Sequence, residues 1–321
     1  MDPDETGGGR RLTVSERAAA VPPALGPEAA FKILGNETRL TILDTLWAPW
    51  EPEPMAFEKL RKAVGISDGS QFNYHLKKLL DGEFVQKIDG KYAIRHAGAE
   101  VVWAVRRGYL TDHPELEPWE TSGRCGTCGE PLYARYADEL FFVECHACDR
   151  LHHIGPFPPT ALADRTPVKA LLVHDLVART NVTLARRGIC PMCNARMDRT
   201  LARDYSESPV RSFYLDEDDD RGLTAWHVCS QCGVWVSITP MEAVVDHPAV
   251  VELYREHGFD LDSVPRWELP WLVDPSNATV VTDDPLRVTV TVAVEDNELV
   301  LTLDEGFEVV DVGRTVANTG C

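Results

Sequence analysis

Cysteine is the residue whose spacing most clearly indicates chemistry in this chain. Eight of the nine cysteines fall into four Cys-x-x-Cys pairs. Two thiolates three residues apart on a tight turn can face one metal ion, and two such turns supply the four sulfurs of a closed tetrahedral site. We therefore expect two metal sites, whose ligands are Cys125, Cys128, Cys145 and Cys148 in the first and Cys190, Cys193, Cys229 and Cys232 in the second.

Zinc is the expected metal, as two structural ions, because four thiolates in a tetrahedron suit it and leave no open position for catalysis. Rubredoxin-like iron is the alternative metal, and a zinc or redox sensor is the alternative role. His146, His152 and His153 lie close enough in sequence to compete as ligands. We expect them to lie outside the four-thiolate ligand set, either next to the ligands or on the surface. Cys321 has no partner in the pattern and is expected to be a free thiol.

The distances between the pairs differ. Sixteen residues separate Cys128 from Cys145, which is typical of a zinc ribbon with two short strands. Thirty-five residues separate Cys193 from Cys229 and include the acidic run 216–220, which we expect at the tip of an extended hairpin. Its flanking strands are expected at 196–205, 210–215 and 223–228. A crossed arrangement that mixes pairs from the two sets is the alternative to two separate sites.

The segments after the two cysteine regions resemble each other. Residues 158–168 and 240–250 share a similar order of Pro, Ala, Asp and Val, and each runs into an amphipathic segment. We expect helices at 168–186 and 249–257. A repeated unit of ribbon, turn and helix is the simplest interpretation.

A different pattern precedes the cysteines. Apolar residues at helical spacing predict a helix that Gly35 ends, a second helix that Asn36 caps, and a third over 57–64. A loop over 47–54 separates the second helix from the third. Residues 65–67, Gly-Ile-Ser, form a short turn before a fourth helix over 69–80. Helix, short glycine-containing turn and helix together are typical of a helix-turn-helix.

The fourth helix has two faces. Phe72, His75, Leu76 and Leu79 fall on one stripe, which we expect to be buried. The opposite face is polar, and such a face suits the major groove of DNA, where Asn and Gln bond adenine and Lys reaches guanine or phosphate. The predicted DNA-contacting residues of this helix are Ser70, Gln71, Asn73, Tyr74, Lys77 and Lys78.

A hairpin is expected next. Short apolar strands at 84–88 and 91–94 flank Asp89 and Gly90, a preferred two-residue hairpin turn. Lys87 and Lys91 lie beside this turn, and Arg95 follows, where a wing would meet phosphates.

These motifs together resemble a known family. The stretches ILGNETRLTILDTL and LRKAVGISDGSQFNYHLKKLLDGEFVQKIDGKYAI look like ArsR-type winged helix-turn-helix transcriptional regulators, most closely the haloarchaeal kind. The resemblance covers residues 28–109. It implies a homodimer on double-stranded DNA, with the helix that begins at Ala97 and ends at Tyr109 packed between subunits.

The family's metal-sensing ligands are missing from this sequence. Arsenic-type sensors place cysteines on the helix before the turn, and residues 57–64 have none. Zinc-type sensors use Asp and His on the last helix, and residues 97–109 have neither. The resemblance therefore gives no support to metal-responsive repression through those sites.

Three alternating segments end the chain, at 286–294, 298–303 and 307–312. Valines on one face and threonines on the other predict a half-buried antiparallel meander. The expected domains are a disordered leader (1–26), the winged helix-turn-helix (27–112), two units of zinc ribbon plus helix (113–189 and 190–275) and the meander (276–321).

The charge distribution is uneven. The net charge is −19, yet residues 27–97 contain ten basic and ten acidic side chains, whereas residues 241–321 contain 17 acidic and 4 basic ones. Adaptation to molar salt explains interspersed acids better than an acidic interaction tail does. No apolar run is long enough to span a membrane and no signal peptide is evident, so a cytoplasmic protein is expected.

The sequence thus predicts an α+β multidomain protein that regulates transcription by binding DNA, with an unknown effector and no enzymatic role. No phosphate-binding loop, dinucleotide fingerprint or nucleophile elbow is present. The alternative is a zinc-ribbon factor for protein or RNA interaction that uses the winged helix as a protein-binding module.

Overall fold

A computed structural model of the chain describes residues 25–47, 53–203, 207–209 and 222–316. Within these ranges the chain divides into two compact units. The N-terminal unit contains the described residues up to 113 together with 158–163, and the C-terminal unit contains 114–157 and the described residues from 164 onward. Both combine helices with antiparallel sheets, which agrees with the α+β class predicted from the sequence.

The N-terminal unit begins with four helices whose ends follow local chemistry. Asn36 accepts from the backbone N–H of Arg39 to start the second, and Asp68 accepts from two N–H groups to start the fourth. Gly65 ends the third in the left-handed region. The four are α1 (Pro27–Leu34), α2 (Glu37–Leu46), α3 (Phe57–Val64) and α4 (Gly69–Asp81).

A hairpin and a fifth helix complete this unit. Strands β1 (Val85–Ile88) and β2 (Lys91–Ile94) pair in the expected register around Asp89 and Gly90, which both have positive φ as a type I′ turn requires. Helix α5 (His96–Arg106) follows. One apolar core joins these elements and is built from Ile42, Leu43, Leu46, Leu60, Phe72, Leu76, Leu79, Phe84, Val85, Tyr92 and Val102.

The first cysteine region forms a larger sheet than its sequence predicts. Two short strands were expected, and four antiparallel strands are present in consecutive order. The first outer strand is largely exposed and the last is partly buried on both faces, so neither shows apolar alternation and periodicity alone does not reveal them. The four strands are β3 (Leu116–Arg124), β4 (Pro131–Ala137), β5 (Leu140–Cys145) and β6 (Leu151–Pro156).

The second cysteine region forms a three-stranded antiparallel sheet. It follows a 20-residue helix, α6 (Pro167–Arg186), and its strands are β7 (Met197–Ala202), β8 (Thr224–Cys229) and β9 (Trp235–Ile238). Strands are therefore present where they were expected over 196–205 and 223–228, with somewhat different ends. The strand expected at 210–215 and the acidic run 216–220 lie outside the described residues.

Short helices connect this sheet to the C-terminal one. Helices α7 (Pro240–Val244), α8 (Pro248–Glu256) and α9 (Pro270–Val273) alternate with 3-10 turns. Trp267 and Trp271 are buried among them. Trp271 donates to the hydroxyl of Tyr254 at 2.8 Å, which satisfies its only polar side-chain atom inside the core.

The C-terminal sheet contains four antiparallel strands: β10 (Ala278–Asp283), β11 (Leu286–Val294), β12 (Asn297–Leu303) and β13 (Val309–Val316). Three were expected; β10 was missed because five of its six residues are exposed. The alternation predicted for β11 is confirmed, since Val288, Val290 and Val292 are buried and their threonine neighbours are less so.

The repeat is visible in the order of elements. A 3-10 turn (Pro159–Leu162) precedes α6, and the short helix α7 precedes α8, so each sheet is followed by a short turn and a proline-started helix. The two following helices differ in length, 20 residues against nine. Among the described residues, the chain forms no helix with the length and apolarity needed to cross a membrane.

Candidate metal centres and nucleic-acid interface

The eight paired cysteines form two separate clusters, and each cluster combines consecutive pairs. Within each, the four Sγ atoms lie within 4.8 Å of one another. The shortest contacts are 3.6 Å between Cys125 and Cys148 and 3.4 Å between Cys128 and Cys145 in the first cluster. Cys190 and Cys232 lie 3.5 Å apart in the second, as do Cys193 and Cys229. The crossed arrangement is therefore wrong, and the cysteines form two separate clusters, each of which could hold one metal ion.

All four pairs adopt the same turn. The residue after the second cysteine has positive φ in every case, and the types found there are those that tolerate this conformation: Gly129, Asp149, Asn194 and Gly233. The first cysteine's N–H donates to the carbonyl five residues later each time, at 2.8 to 2.9 Å. This regularity places two sulfurs on one side of each turn.

Burial alternates in the same way in all four turns. The first cysteine of each pair is buried and the second is exposed. Each cluster thus has two sulfurs against the protein core and two toward solvent. A metal ion held there would be anchored in the fold and still reachable by a chelator.

The donor set fits a tetrahedral metal ion. Zinc–sulfur bonds of about 2.3 Å in a regular tetrahedron place sulfurs roughly 3.8 Å apart, close to the observed 3.4 to 3.6 Å. In the second cluster, backbone N–H groups also point at sulfur: that of Met192 lies 3.4 Å from Cys190 Sγ, and that of Gln231 lies 3.4 Å from Cys229 Sγ. Such donors stabilise thiolate charge.

The thiols of a cluster have unequal acidities. Burial acts to raise the pKa of Cys125, but the backbone N–H groups of Cys128 and Thr127 outweigh it and lower the pKa to about 7. The same balance lowers the pKa of Cys229 to about 6. Burial raises the pKa of Cys148 to about 12. A divalent cation deprotonates coordinating thiols, so metal binding at these clusters releases protons.

The three histidines near the first cluster do not complete its ligand set. His152 Nε2 lies 3.3 Å from Cys125 Sγ, where an N–H can donate to the sulfur from outside the four-thiol group. His146 stacks on Tyr133 with ring centroids 4.3 Å apart. His153 pairs with His174 through their Nε2 atoms at 2.7 Å. This geometry agrees with the expectation that the three histidines lie outside the ligand set.

Helix α4 separates its residues as the sequence predicts. Its apolar stripe and His75 are buried against the N-terminal core. The opposite face is exposed along its whole length, and Lys78 lies over the Tyr74 ring at 5.8 Å. All six residues predicted to contact DNA from this helix are exposed: Ser70, Gln71, Asn73, Tyr74, Lys77 and Lys78.

The hairpin places its cations as expected. Lys87 and Lys91 are exposed on opposite sides of the turn, and Lys87 lies over the Tyr92 ring at 5.4 Å. Arg95 is exposed too, but its Nη1 is 3.1 Å from a carboxylate oxygen of Glu83. Arg95 therefore has an intramolecular partner with which a phosphate must compete.

Helix α5 corresponds to the segment for which subunit contact was predicted. Ala99 and Val102 are buried in the N-terminal unit, whereas Val105 is exposed. Trp103 packs edge-on against Trp47 at 5.2 Å. The helix thus has both an inward face and an outward apolar residue, and dimerisation through it stays a prediction.

A buried ionic cluster in the C-terminal unit was missed by sequence reasoning. Arg266 donates to Asp175 at 2.7 Å and to Glu242 at 3.0 Å, and Arg179 donates to the other oxygen of Asp175 at 3.0 Å. These residues are up to 91 positions apart in the chain. The signal in the sequence was one arginine inside the apolar stretch 264–273, where a charge requires a partner.

Two family models match the chain, over separate ranges of the sequence. The family described as Domain of unknown function (DUF7347) matches residues 27–105, and the family described as Domain of unknown function (DUF7351) matches residues 122–309. No curated protein and no solved structure matches. Because residues 122–309 make up more than half of the chain and include both cysteine clusters, this protein belongs to the DUF7351 family.

Proposed function

We propose that this protein is a DNA-binding transcriptional regulator whose N-terminal unit is an ArsR-like winged helix-turn-helix. The observation that carries the proposal is the polar face of α4. The six outward positions on that helix expose hydrogen-bonding or basic side chains, and no acidic residue lies between Ser70 and Lys78. An ordinary surface helix of so acidic a protein would be expected to carry acids on this face.

The face has the chemistry to distinguish bases. Gln71 and Asn73 each offer an amide donor and acceptor, the pair that matches adenine in the major groove. Lys77 lies one turn further on and offers donors to guanine or phosphate. Helix α4 has 13 residues and is therefore about 20 Å long, enough to present these groups along several base pairs.

The hairpin complements the helix. Lys87 and Lys91 flank a two-residue turn, so both charges lie close to its tip, one on each face of the hairpin. Cations in such a wing bind phosphates and position the protein without reading sequence. Recognition helix and wing together give the two classes of contact that a specific DNA complex needs.

The net negative charge of the whole chain need not prevent DNA binding. Residues 27–97 have balanced charges, so the acidic excess lies elsewhere. In molar salt the screening length falls to about 3 Å, and distant acids then repel DNA only weakly. Phosphate contacts weaken under the same conditions. Base contacts from α4 therefore supply a larger share of the affinity.

We further propose that the two thiol clusters hold structural zinc. Four thiolates close the coordination shell, which excludes substrate. Zinc at such sites contributes roughly 10–16 kcal/mol of apparent binding free energy in zinc-finger peptides. The small sheets that carry the clusters need such support, since they contain only three or four strands and the outer strand β3 is largely exposed.

A homodimer is the proposed DNA-binding form. The exposed apolar side chain of Val105 on α5, with the partly exposed Val101 and Ala104 beside it, supports contact with a second copy of this helix. Two copies would present two α4 helices to successive major grooves. The operator would then contain two half-sites about one helical turn apart.

The test is a selection from fragmented genomic DNA by the purified, metal-loaded protein. The wild type is expected to enrich a defined motif, and the variant with Gln71, Asn73 and Lys77 all replaced by Ala is expected to enrich none. Lys169→Ala is the matched control, because it removes the single lysine of the C-terminal unit and leaves α4 unchanged. Failure of the wild type to enrich any motif, across low and high salt, would falsify the proposal.

The rival function is protein interaction. It is favoured by a row of exposed apolar residues on one face of α6, namely Val168, Leu172 and Leu176. If DNA selection fails and Leu172→Glu with Leu176→Glu abolishes capture of a protein partner, the interaction role replaces the regulatory one.

A further inference from the structure

Tyr74 differs in chemistry from the other exposed residues of helix α4. Its side chain is 57% exposed, whereas the ring of Phe72 on the same helix is fully buried. The rest of the exposed face between Ser70 and Lys78 consists of serine, glutamine, asparagine and lysine side chains. Tyr74 therefore adds one aromatic surface to a face that otherwise offers hydrogen bonds and positive charge.

Two neighbours on the same helix hold the Tyr74 ring. The buried ring of His75 lies edge-on to it, with centroids 5.2 Å apart and an angle of 74° between the planes. The ammonium group of Lys78 lies 5.8 Å from the centroid of the Tyr74 ring, which is within the range of about 6 Å for a cation–π interaction. These contacts restrict the ring on the helix surface, so little order has to be gained when it binds a partner.

Tyr74 lies among the side chains that are proposed to read bases. Residues three and four apart adjoin on a helix surface, so Gln71 lies on one side of Tyr74 and Lys77 lies on the other. A recognition helix contacts base edges mainly with its N-terminal residues. Tyr74 is the sixth of the 13 residues of α4, so its ring belongs to the part of the helix that enters the groove.

Thymine is the only base with an apolar group on its major-groove edge. The other three bases present ring nitrogens, carbonyl oxygens and amino groups there, whereas thymine presents its C5-methyl group beside the O4 acceptor. A ring that packs on this methyl group removes apolar surface from water on both sides, and a ring that packs on an amino or carbonyl group covers a polar atom without bonding it. The aromatic surface of Tyr74 therefore matches thymine.

We propose that Tyr74 is a specificity-determining residue whose ring reads the methyl group of one thymine under each bound α4 helix. The inference rests on the DNA-binding function proposed above and names a class of operator for it. Gln71 and Asn73 have the amide chemistry that matches adenine. The half-site is accordingly one in which an adenine bound by these amides lies close to a thymine that contacts the ring.

This contact differs from the lysine contacts in its response to salt. A phosphate contact weakens as salt rises because fewer counterions are released. Packing of a ring on a methyl group releases none, so its contribution to specificity persists at high salt. Burial of one methyl group corresponds to about a fourfold change in the binding constant.

The test uses the full, metal-loaded chain and the duplex motif that it selects from genomic DNA. Each thymine of the motif is replaced in turn by deoxyuridine, which also pairs with adenine but lacks the methyl group. The wild type is expected to bind about fourfold more weakly when the thymine under Tyr74 is replaced. This ratio should be the same at roughly 0.1 M and 1 M salt, although affinity for both duplexes falls.

Variants of Tyr74 separate the ring from its hydroxyl group. Tyr74→Ala is expected to bind the thymine and deoxyuridine duplexes equally, because the ring is gone. Tyr74→Phe is expected to keep the ratio, because only the hydroxyl group is lost. Phe31→Ala is the matched control: it removes a ring that is 75% exposed on α1, and it should keep the ratio whatever its effect on affinity. Urea unfolding confirms that each variant is folded.

Three results would overturn the inference and leave DNA binding intact. The first is a wild type that selects a motif but is indifferent to every deoxyuridine substitution. The second is persistence of the ratio in folded Tyr74→Ala, which places the methyl contact on another residue. The third is loss of the ratio in Tyr74→Phe, which assigns the contact to the hydroxyl group. A wild type that selects no motif would remove the DNA-binding function itself, and this inference with it.

Discussion

Arg266 Nε lies 2.7 Å from Asp175 Oδ1, and both side chains are buried although they are 91 positions apart in sequence. This pair joins α6 to the turn that precedes α9. Asp175 also accepts from Arg179, so one carboxylate pairs with two guanidinium groups. The contact ties helix α6 to the segment that contains the buried tryptophans.

Asp175→Asn is expected to destabilise the C-terminal unit by about 3–5 kcal/mol, since it leaves buried guanidinium charge without its carboxylate. Urea unfolding of the metal-loaded protein measures this loss. The control is Asp198→Asn, which breaks the more exposed 2.7 Å pair with Arg196 and is expected to change the free energy of unfolding by less than about 1 kcal/mol. Equal losses in the two variants would show that the buried pair contributes no more than a surface one.

Two metal ions per chain are expected in native mass spectrometry. Cys128→Ser and Cys193→Ser should each reduce the number to one, because the two clusters share no ligand. The combined variant should bind none and lose the structure of the C-terminal unit. Cys321→Ser, outside the described residues, is the control and should retain both ions. A wild-type stoichiometry of one would contradict the two-site arrangement.

Substitutions on helix α4 and on the hairpin are expected to affect DNA binding differently: the first should reduce sequence discrimination, and the second should reduce affinity for all DNA. Asn73→Ala should reduce discrimination between the selected motif and a scrambled sequence by about 1–3 kcal/mol, because a base contact is lost. Lys91→Ala should weaken binding to both DNAs alike, because a phosphate contact is lost. The slope of log binding constant against log salt concentration should fall in magnitude by about 1. Binding isotherms at several salt concentrations measure both effects. Equal losses on both DNAs for Asn73→Ala would remove its base-reading role.

The buried His174 predicts a pH dependence of stability. Its pKa is lowered from 6.5 to about 3 in the folded protein, chiefly by burial. Between these values the unfolded chain takes up a proton that the folded chain does not, so stability falls as the pH is lowered, by about 1.4 kcal/mol per pH unit inside this window. Urea unfolding of the metal-loaded protein between roughly pH 5 and 7 measures the slope.

His174→Gln should flatten that slope by removing the titrating group, whatever its effect on stability at neutral pH. His96→Gln is the control, because the His96 side chain is largely exposed and lies on the surface of the N-terminal unit. If the slope is the same in His174→Gln as in the wild type, the linkage assigned to this imidazole is wrong.

Local patterns predicted most of the N-terminal unit. The stripe of Phe72, Leu76 and Leu79 identified the inward face of α4, because a period of 3.6 residues is a property of the helix itself. Asp89 and Gly90 identified the hairpin, because few residue pairs adopt two positive φ angles. The four cysteine turns had a further local signal besides their spacing. A Gly, Asp or Asn follows each pair, and these residue types tolerate the positive φ of the turn.

The strands β3, β6 and β10 were not predictable in the same way. The side chains of β3 and β10 are largely exposed, and those of β6 are partly buried on both faces, so none of the three shows apolar alternation and only pairing with a neighbour fixes them as strands. The ionic cluster around Arg266 was not predictable either. His153, Asp175, Glu242 and Arg266 lie in different elements, and no short-range pattern connects them.

The sequence by itself determined the ligand pairs, the two faces of α4 and the hairpin turn, because each depends on residues within one or two turns of each other. Tertiary structure decided which cysteine pairs share a cluster, which strands adjoin, and which charges meet around Arg266. The physical reason is that burial of a charge or a thiolate is tolerated only where distant segments bring compensating groups, and that choice is made when the whole core packs.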